Sequence, residues 1–368
     1  MQSLRFPMLE ASYWSSPDDP LSVFLCKSEV VCPGGLPDGS CSAGRTGLAC
    51  AECKVGMISI GSDADDCTSC DGVDWAPSIA FCTVLVVFIA YAYHIVDSRH
   101  LHNSSHSGLL AAIAAAQCVA VVQLFGVLGT FSIHFPSPLS DFLAGLTRFM
   151  FDFEFLRTDC FIKTSALSRF VFNIGVLIFI TTLIILVHCV FVILRHHGRW
   201  NDRSSVLVAV LGGFFAVAFV SIIVTILRPL ECDSHPNGKM TVQKYGSVLC
   251  WESGEHTVMV AISTVALAFP LFCVAACIKI VCSFPRRIRA MDVEFLKTYS
   301  FLFLRFRTDA YWFSLAIMTR SLVFAIVPVV HNGTLQVAIL QMFMLPLLVL
   351  TIWYVPWRTA GNNFIDVM

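Results

Sequence analysis

Three sets of residues in this chain have types and spacings that could do chemistry. Cys50-x2-Cys53 followed by Cys67-x2-Cys70 has the spacing of a tetrahedral zinc site ligated by four thiolates. The same residues also suit disulfides, and the setting favours them: Cys26, Cys32 and Cys41 precede the pattern, and glycine turns such as Cys32-Pro-Gly-Gly interleave it. Cys232 and Cys250 bracket ECDSHPNGKMTVQKYGSVLCWE, whose Pro-Asn-Gly marks a turn, so a disulfide closing this loop is the best single pairing. Arg320 sits midway along an apolar block, where an unpaired charge costs at least a few kcal/mol. It must face the bundle interior or a wet cavity, either as a gating or ligand-binding charge or, the reading we favour, bonded to a neighbouring helix. Gln117, Gln123, Asn173, Gln336 and Gln341 are the candidate partners.

The remaining polar groups promise less. His94, His100, His102 and His106 crowd around Asp97, but no spacing puts three ligands on one ordered element, so the expectation is a solvated turn. His188 is the only histidine well inside a helix, and no helix carries a Ser-His-Asp or metal constellation. No phosphate-binding glycine loop is found either. The expectation is a protein that is not an enzyme, with no cofactor and no resident metal. Cys82, Cys118, Cys189, Cys273, Cys277 and Cys282 read as small apolar packers.

The elements that must hold these residues follow from composition. Of 368 residues 57% are hydrophobic and 13% charged, with mean hydropathy +0.76, where a soluble domain carries about 25% charged residues. Lipid must be the solvent. Net charge −1 gives no basic excess, which sets nucleic acid aside as a partner. Apolar blocks of membrane-spanning length fall at roughly 75–96, 108–130, 170–194, 205–227, 257–283, 310–330 and 335–355. Backbone groups in lipid must be satisfied within the segment, so all seven are read as helices, with kinks at Pro270 and Pro346. The fold class is an all-α polytopic membrane protein, about seven transmembrane helices behind a small disulfide-rich extracellular module. Its divisions are 1–74, 75–355 and a cytosolic tail, 356–368.

Orientation comes from the loops. Arg195, Arg199 and Arg203 fall in one loop and Arg286, Arg287 and Arg289 in another, and the positive-inside rule makes both cytosolic. The N-terminus is then outside, in a multi-pass protein of the plasma membrane. Ten cysteines lie on the outer side, Cys26, Cys32, Cys41, Cys50, Cys53, Cys67, Cys70, Cys160, Cys232 and Cys250, an even number that permits full pairing with connectivity open. MQSLRFPMLEASYWSSPDD has no signal-peptide pattern, so either the first helix carries the head across or the chain belongs to a longer product. FLKTYSFLFLRFR, Phe295 to Arg307, reads as an interfacial helix on the inner leaflet. Phe149, Phe151, Phe153 and Phe155 alternate with Asp152 and Glu154, which reads as amphipathic packing. Asn332-Gly-Thr and Asn103-Ser-Ser match the glycosylation pattern but sit poorly for it.

Several motifs together resemble a family of protist surface proteins of dinoflagellate and oomycete type. In these, EGF-like or ephrin-receptor-like cysteine repeats precede a polytopic domain likened to transient-receptor-potential channels. The matching stretches are TGLACAECKVGM, FDFEFLRTDCF, RPLECDSHPNGK with VLCW, LRFRTDAYWFSLAIMTRSL and VPWRTAGNNFID, which span nearly the whole chain. The family has acidic residues just after its Tyr-Trp pair, where this chain has Ser314 and Ile317, so the partner of Arg320 is not supplied by the resemblance. Further helix beyond the last match in the family implies a shortened chain or a gene-model fragment.

The functional expectation is a receptor- or sensor-like surface protein whose cysteine-rich module meets an extracellular protein or small ligand, with membrane lipid as the constant partner. The alternatives are a channel or transporter of transient-receptor-potential type and a G-protein-coupled-receptor-like protein. The first lacks a pore loop, since only His331 to Thr334 joins the last two blocks. The second lacks Asp-Arg-Tyr after the third helix, which ends Leu194-Arg195-His196-His197, and Asn-Pro-x-x-Tyr in the seventh.

Overall fold

The computed structural model of the chain describes residues 8–37, 40–59, 67–71, 75–101, 106–131, 136–147, 160 and 165–367. The amphipathic stretch from Phe149 to Phe155, with His102 and Asn103, lies outside them, as do the side chains of His100 and His106. The chain begins as a small strand-rich head. A hairpin of β1 (Tyr13–Ser16) and β2 (Asp19–Leu25) is followed by two short antiparallel pairs, β3 (Arg45–Thr46) with β4 (Glu52–Cys53) and β5 (Met57–Ser59) with β6 (Cys67–Ser69). Among the described residues its core is small: Phe24, Val31 and Ala49 around buried cysteines, with Trp14 and Leu48 against them and Ile58 buried on β5. So small a core cannot hold a fold alone, and covalent closure substitutes for burial. Cys26–Cys32, Cys41–Cys50 and Cys53–Cys67 staple the head, Cys70–Cys160 ties it to the bundle, and Cys232–Cys250 closes the loop beneath it. The four thiols of the zinc reading are divided among three of these bridges, which leaves no thiolate set for a metal.

Every apolar block folds as helix. They are α1 (Ala76–Leu101), α2 (His106–Leu128), then after the short α3 (Leu139–Thr147) α4 (Ala166–His196), α5 (Trp200–Leu227), α6 (Gly254–Arg289), and later α9 and α10. Strands β7 (Cys232–Ser234) and β8 (Met240–Val242) form a hairpin between α5 and α6. After α6 come α7 (Val293–Thr298) and α8 (Ser300–Phe303), then α9 (Phe313–Ile326), α10 (Gly333–Tyr354) and α11 (Ala360–Val367). Five helices, α1, α4, α5, α6 and α10, are long and apolar enough to cross a membrane. Two shorter apolar stretches, Ala114–Leu128 and Phe313–Val329, complete the seven blocks.

The axis of the bundle is α5, on which every residue from Ala218 to Leu227 is buried. A helix apolar on all sides belongs at the centre of such a bundle. The outer helices turn large apolar side chains outward, among them Val84 and Phe88 on α1, Val265 and Phe272 on α6, and Leu345 and Trp353 on α10. Apolar faces of that extent need cover, and on helices long enough to cross a bilayer lipid supplies it. The chain is thus a polytopic helical membrane protein with a disulfide-rich module. Polar side chains start the spans: Ser165 accepts from the Ser168 N–H, Ser253 from His256, and Asn332 from Thr334 and Leu335. The Asn332 oxygen is therefore engaged as a helix cap. Both α6 and α10 run on through Pro270, Pro285 and Pro346.

One segment departs from its sequence reading. Phe295 to Arg307 is not one helix but the knuckle α7–α8 and the turn after it, with Leu302 and Phe303 buried against Cys277, Val281 and Phe284 of α6. Its aromatic residues found a protein surface to cover them. Phe301 lies over Gly212 of α5 so closely that a Cβ there would stand 2.2 Å from the ring.

Candidate functional site

Three polar assemblies interrupt the apolar bundle. The first joins the head to the 232–250 loop. The Leu25 N–H donates to His235 Nδ1 at 3.1 Å, while His235 Nε2 lies 2.7 Å from Thr241 Oγ1. Asn237 donates to Ser22 at 3.0 Å, Phe24 meets the His235 ring edge-on, and Leu249 packs into the head's core. An Nδ1 that accepts a backbone N–H carries no proton, and burial pushes the His235 pKa down. Protonation therefore competes with the Leu25 bond, and the joint weakens as pH falls below the ordinary histidine value of about 6.5. Beneath it His256, fully buried at the start of α6, accepts from the Trp251 N–H at 3.1 Å and reaches the Pro229 carbonyl at 2.9 Å. It lies against Cys232 and Cys250, whose sulfurs are bonded to each other rather than free to ligate.

Beside this hairpin sits Glu231, 3% exposed, with Oε1 lacking any hydrogen-bond partner among the described residues. Desolvation raises its pKa to about 7, against the lowering pull of Arg228. Asp233 is likewise pushed up by burial.

The second assembly ties helix ends at the opposite face. Asp97 of α1, fully buried, accepts from Arg203 of α5 at 3.2 Å and lies 3.0 Å from His196 of α4. This overturns the reading of Asp97 as part of a solvated turn: a carboxylate at a helix end was covered by two neighbouring helices that brought an arginine and a histidine to it. His94 does stay exposed. One turn further into the bundle the Tyr93 hydroxyl meets His188 Nδ1 at 2.7 Å.

The third assembly surrounds Arg320, 8% exposed on α9. Its partner is none of the neighbouring amides but Asp366 of α11: Arg320 Nη1 lies 2.5 Å from Asp366 Oδ1, whose side chain is fully buried. Gln117 Nε2 donates to the same oxygen at 3.4 Å and Trp357 Nε1 to Oδ2 at 3.1 Å. Of the amides proposed from sequence, Gln117 alone joins this group, and through the carboxylate. Asn173 donates to Tyr245, Gln336 to the Val330 carbonyl, and Gln123 is buried elsewhere with Oε1 unbonded. Residues 356–367 fold back against the rest of the chain. Arg307 and Pro356, and Arg358 and Arg305, pair through the backbone, and α11 then turns back into the bundle. Sequence reasoning missed Asp366 because a single acidic residue in a short polar stretch gives no periodic signal.

Compared with protein-family models, curated proteins and solved structures, the chain matches none.

Proposed function

We propose that this is a receptor- or sensor-like surface protein whose cysteine-rich head faces the cell exterior, meets a protein or small ligand there, and passes its position to the helix bundle. No catalytic step enters this reading. The observation that carries it is the joint at His235: the head is held by hydrogen bonds and an aromatic contact onto the loop that links α5 to α6, so displacing the head moves those helices. Orientation draws support from chemistry, since disulfides persist in oxidising compartments, and from the arginines grouped at the opposite helix ends. The resemblance to protist surface proteins with EGF-like repeats agrees with it. A channel of transient-receptor-potential type is less suited, because α9 and α10 are joined by a short turn through Val330 and Asn332.

The test is amide exchange on the full chain in lipid nanodiscs, comparing wild type with His235→Ala. Exchange should quicken at Leu25 and also from Pro229 to His256, down to the starts of the helices. Quickening confined to the head would sink the reading, as would steady ionic currents from the purified protein in planar bilayers.

A further inference from the structure

We infer that Arg320, Gln117 and Trp357 form a binding pocket for a short-chain carboxylate, which the chain's own α11 fills in cis with Asp366. Three N–H donors from α2, α9 and the segment after α10 converge on one carboxylate and engage both of its oxygens. Such an arrangement is a carboxylate receptor, and a bidentate or forked cation with auxiliary donors is its usual chemistry. The arginine is not saturated by Asp366: its Nε is buried and has no partner among the described residues. An anion free to choose its orientation has a further donor waiting.

The occupant is a short element. Helix α11 is two turns long, far below the length at which a helix is stable by itself. Its start is anchored by Asn363, which bonds the Trp357 backbone on both sides and the Thr359 carbonyl. Its far end enters the bundle through Asp366, while Gly361 and Phe364 face outward. Lifting that end vacates a space the size of one carboxymethyl group. Arg320 lies seven residues past Phe313, about 10 Å along the helix from the face where α9 begins and α10 ends. A ligand therefore enters from that face, which is also where α5 starts, and must be small: acetate is the probe that matches the side chain it replaces. The inference is independent of what the head engages.

The test uses purified full chain in detergent micelles. Asp366→Ala should unfold at a lower temperature than wild type in chloride, and sodium acetate should restore most of that loss, saturating in the millimolar range. Asp366→Ala combined with Arg320→Leu should show no acetate response. If Asp366→Ala is recovered folded only when prepared in acetate, the pocket is supported; if it fails in both salts, or is equally stable in both, the inference falls. In wild type, acetate at concentrations that saturate the variant should quicken amide exchange across 360–367, and chloride should not. An α11 as protected in acetate as in chloride would show a fixed structural ion pair and overturn the proposal.

Discussion

At the scale of single residues, the groups that matter are those whose charge the fold makes expensive. Glu231 is the clearest. Its carboxyl is buried, one oxygen has no partner among the described residues, and its pKa rises from 4.5 to about 7. A carboxyl whose folded pKa is raised binds its proton more tightly in the native state, so stability rises as pH falls from above 7 toward 4.5 and is flat below that. The difference amounts to about 3 kcal/mol once Glu231 is fully ionised. Glu231→Gln should accordingly raise the unfolding temperature at pH 8, leave it unchanged at pH 4.5, and flatten the slope between; equal effects at both pH values would refute the burial argument. None of this was legible beforehand, because Glu231 next to Cys232 looks like any loop acid until the hairpin is laid over it. Arg320 was legible as a residue needing company. Its partner was not, since a lone aspartate 46 residues downstream leaves no trace in hydropathy.

Elements were far easier to read. Lipid imposes one length and one requirement, internal hydrogen bonding, and every apolar block became a helix as a result. The ends of these blocks were read less well. The stretch from Phe295 to Arg307 is as aromatic as an interfacial helix, and only the small residue opposite it decides that it packs on protein. Gly212 supplies the space into which Phe301 fits. Gly212→Ala puts a methyl into the ring's position and should destabilise the protein by about 1–3 kcal/mol. Adding Phe301→Ala should return part of that loss, which a double-mutant cycle on thermal unfolding in micelles would measure. Additive effects would mean that knuckle and α5 do not touch as described. In the head the position is reversed: strands of two to seven residues carry little pattern of their own, and the cysteines were the visible framework while their connectivity was not.

For the whole molecule, the class of protein and its division into a stapled head and a helical bundle could be read from composition and cysteine placement. How the two parts join could not, because Cys70 and Cys160 are 90 residues apart and His235 is 210 residues from Leu25. That joint makes a simple prediction. A protease site introduced after Asp71 should, once cut, leave the head migrating with the bundle on a non-reducing gel and release it only after reduction. Release without reductant would mean that Cys160 does not hold the head. The same bridge has a mechanical consequence. A pull on the head does not run down a single chain into α1. It divides at Cys70, one branch passing along the peptide to α1 and the other across the sulfurs toward the segment that enters α4, so tension is shared by two helices that already lie side by side on α5. Two anchors in parallel resist tilting as well as extraction. A tug on this head is therefore delivered as torque on the bundle, and a fluid membrane offers little to oppose it.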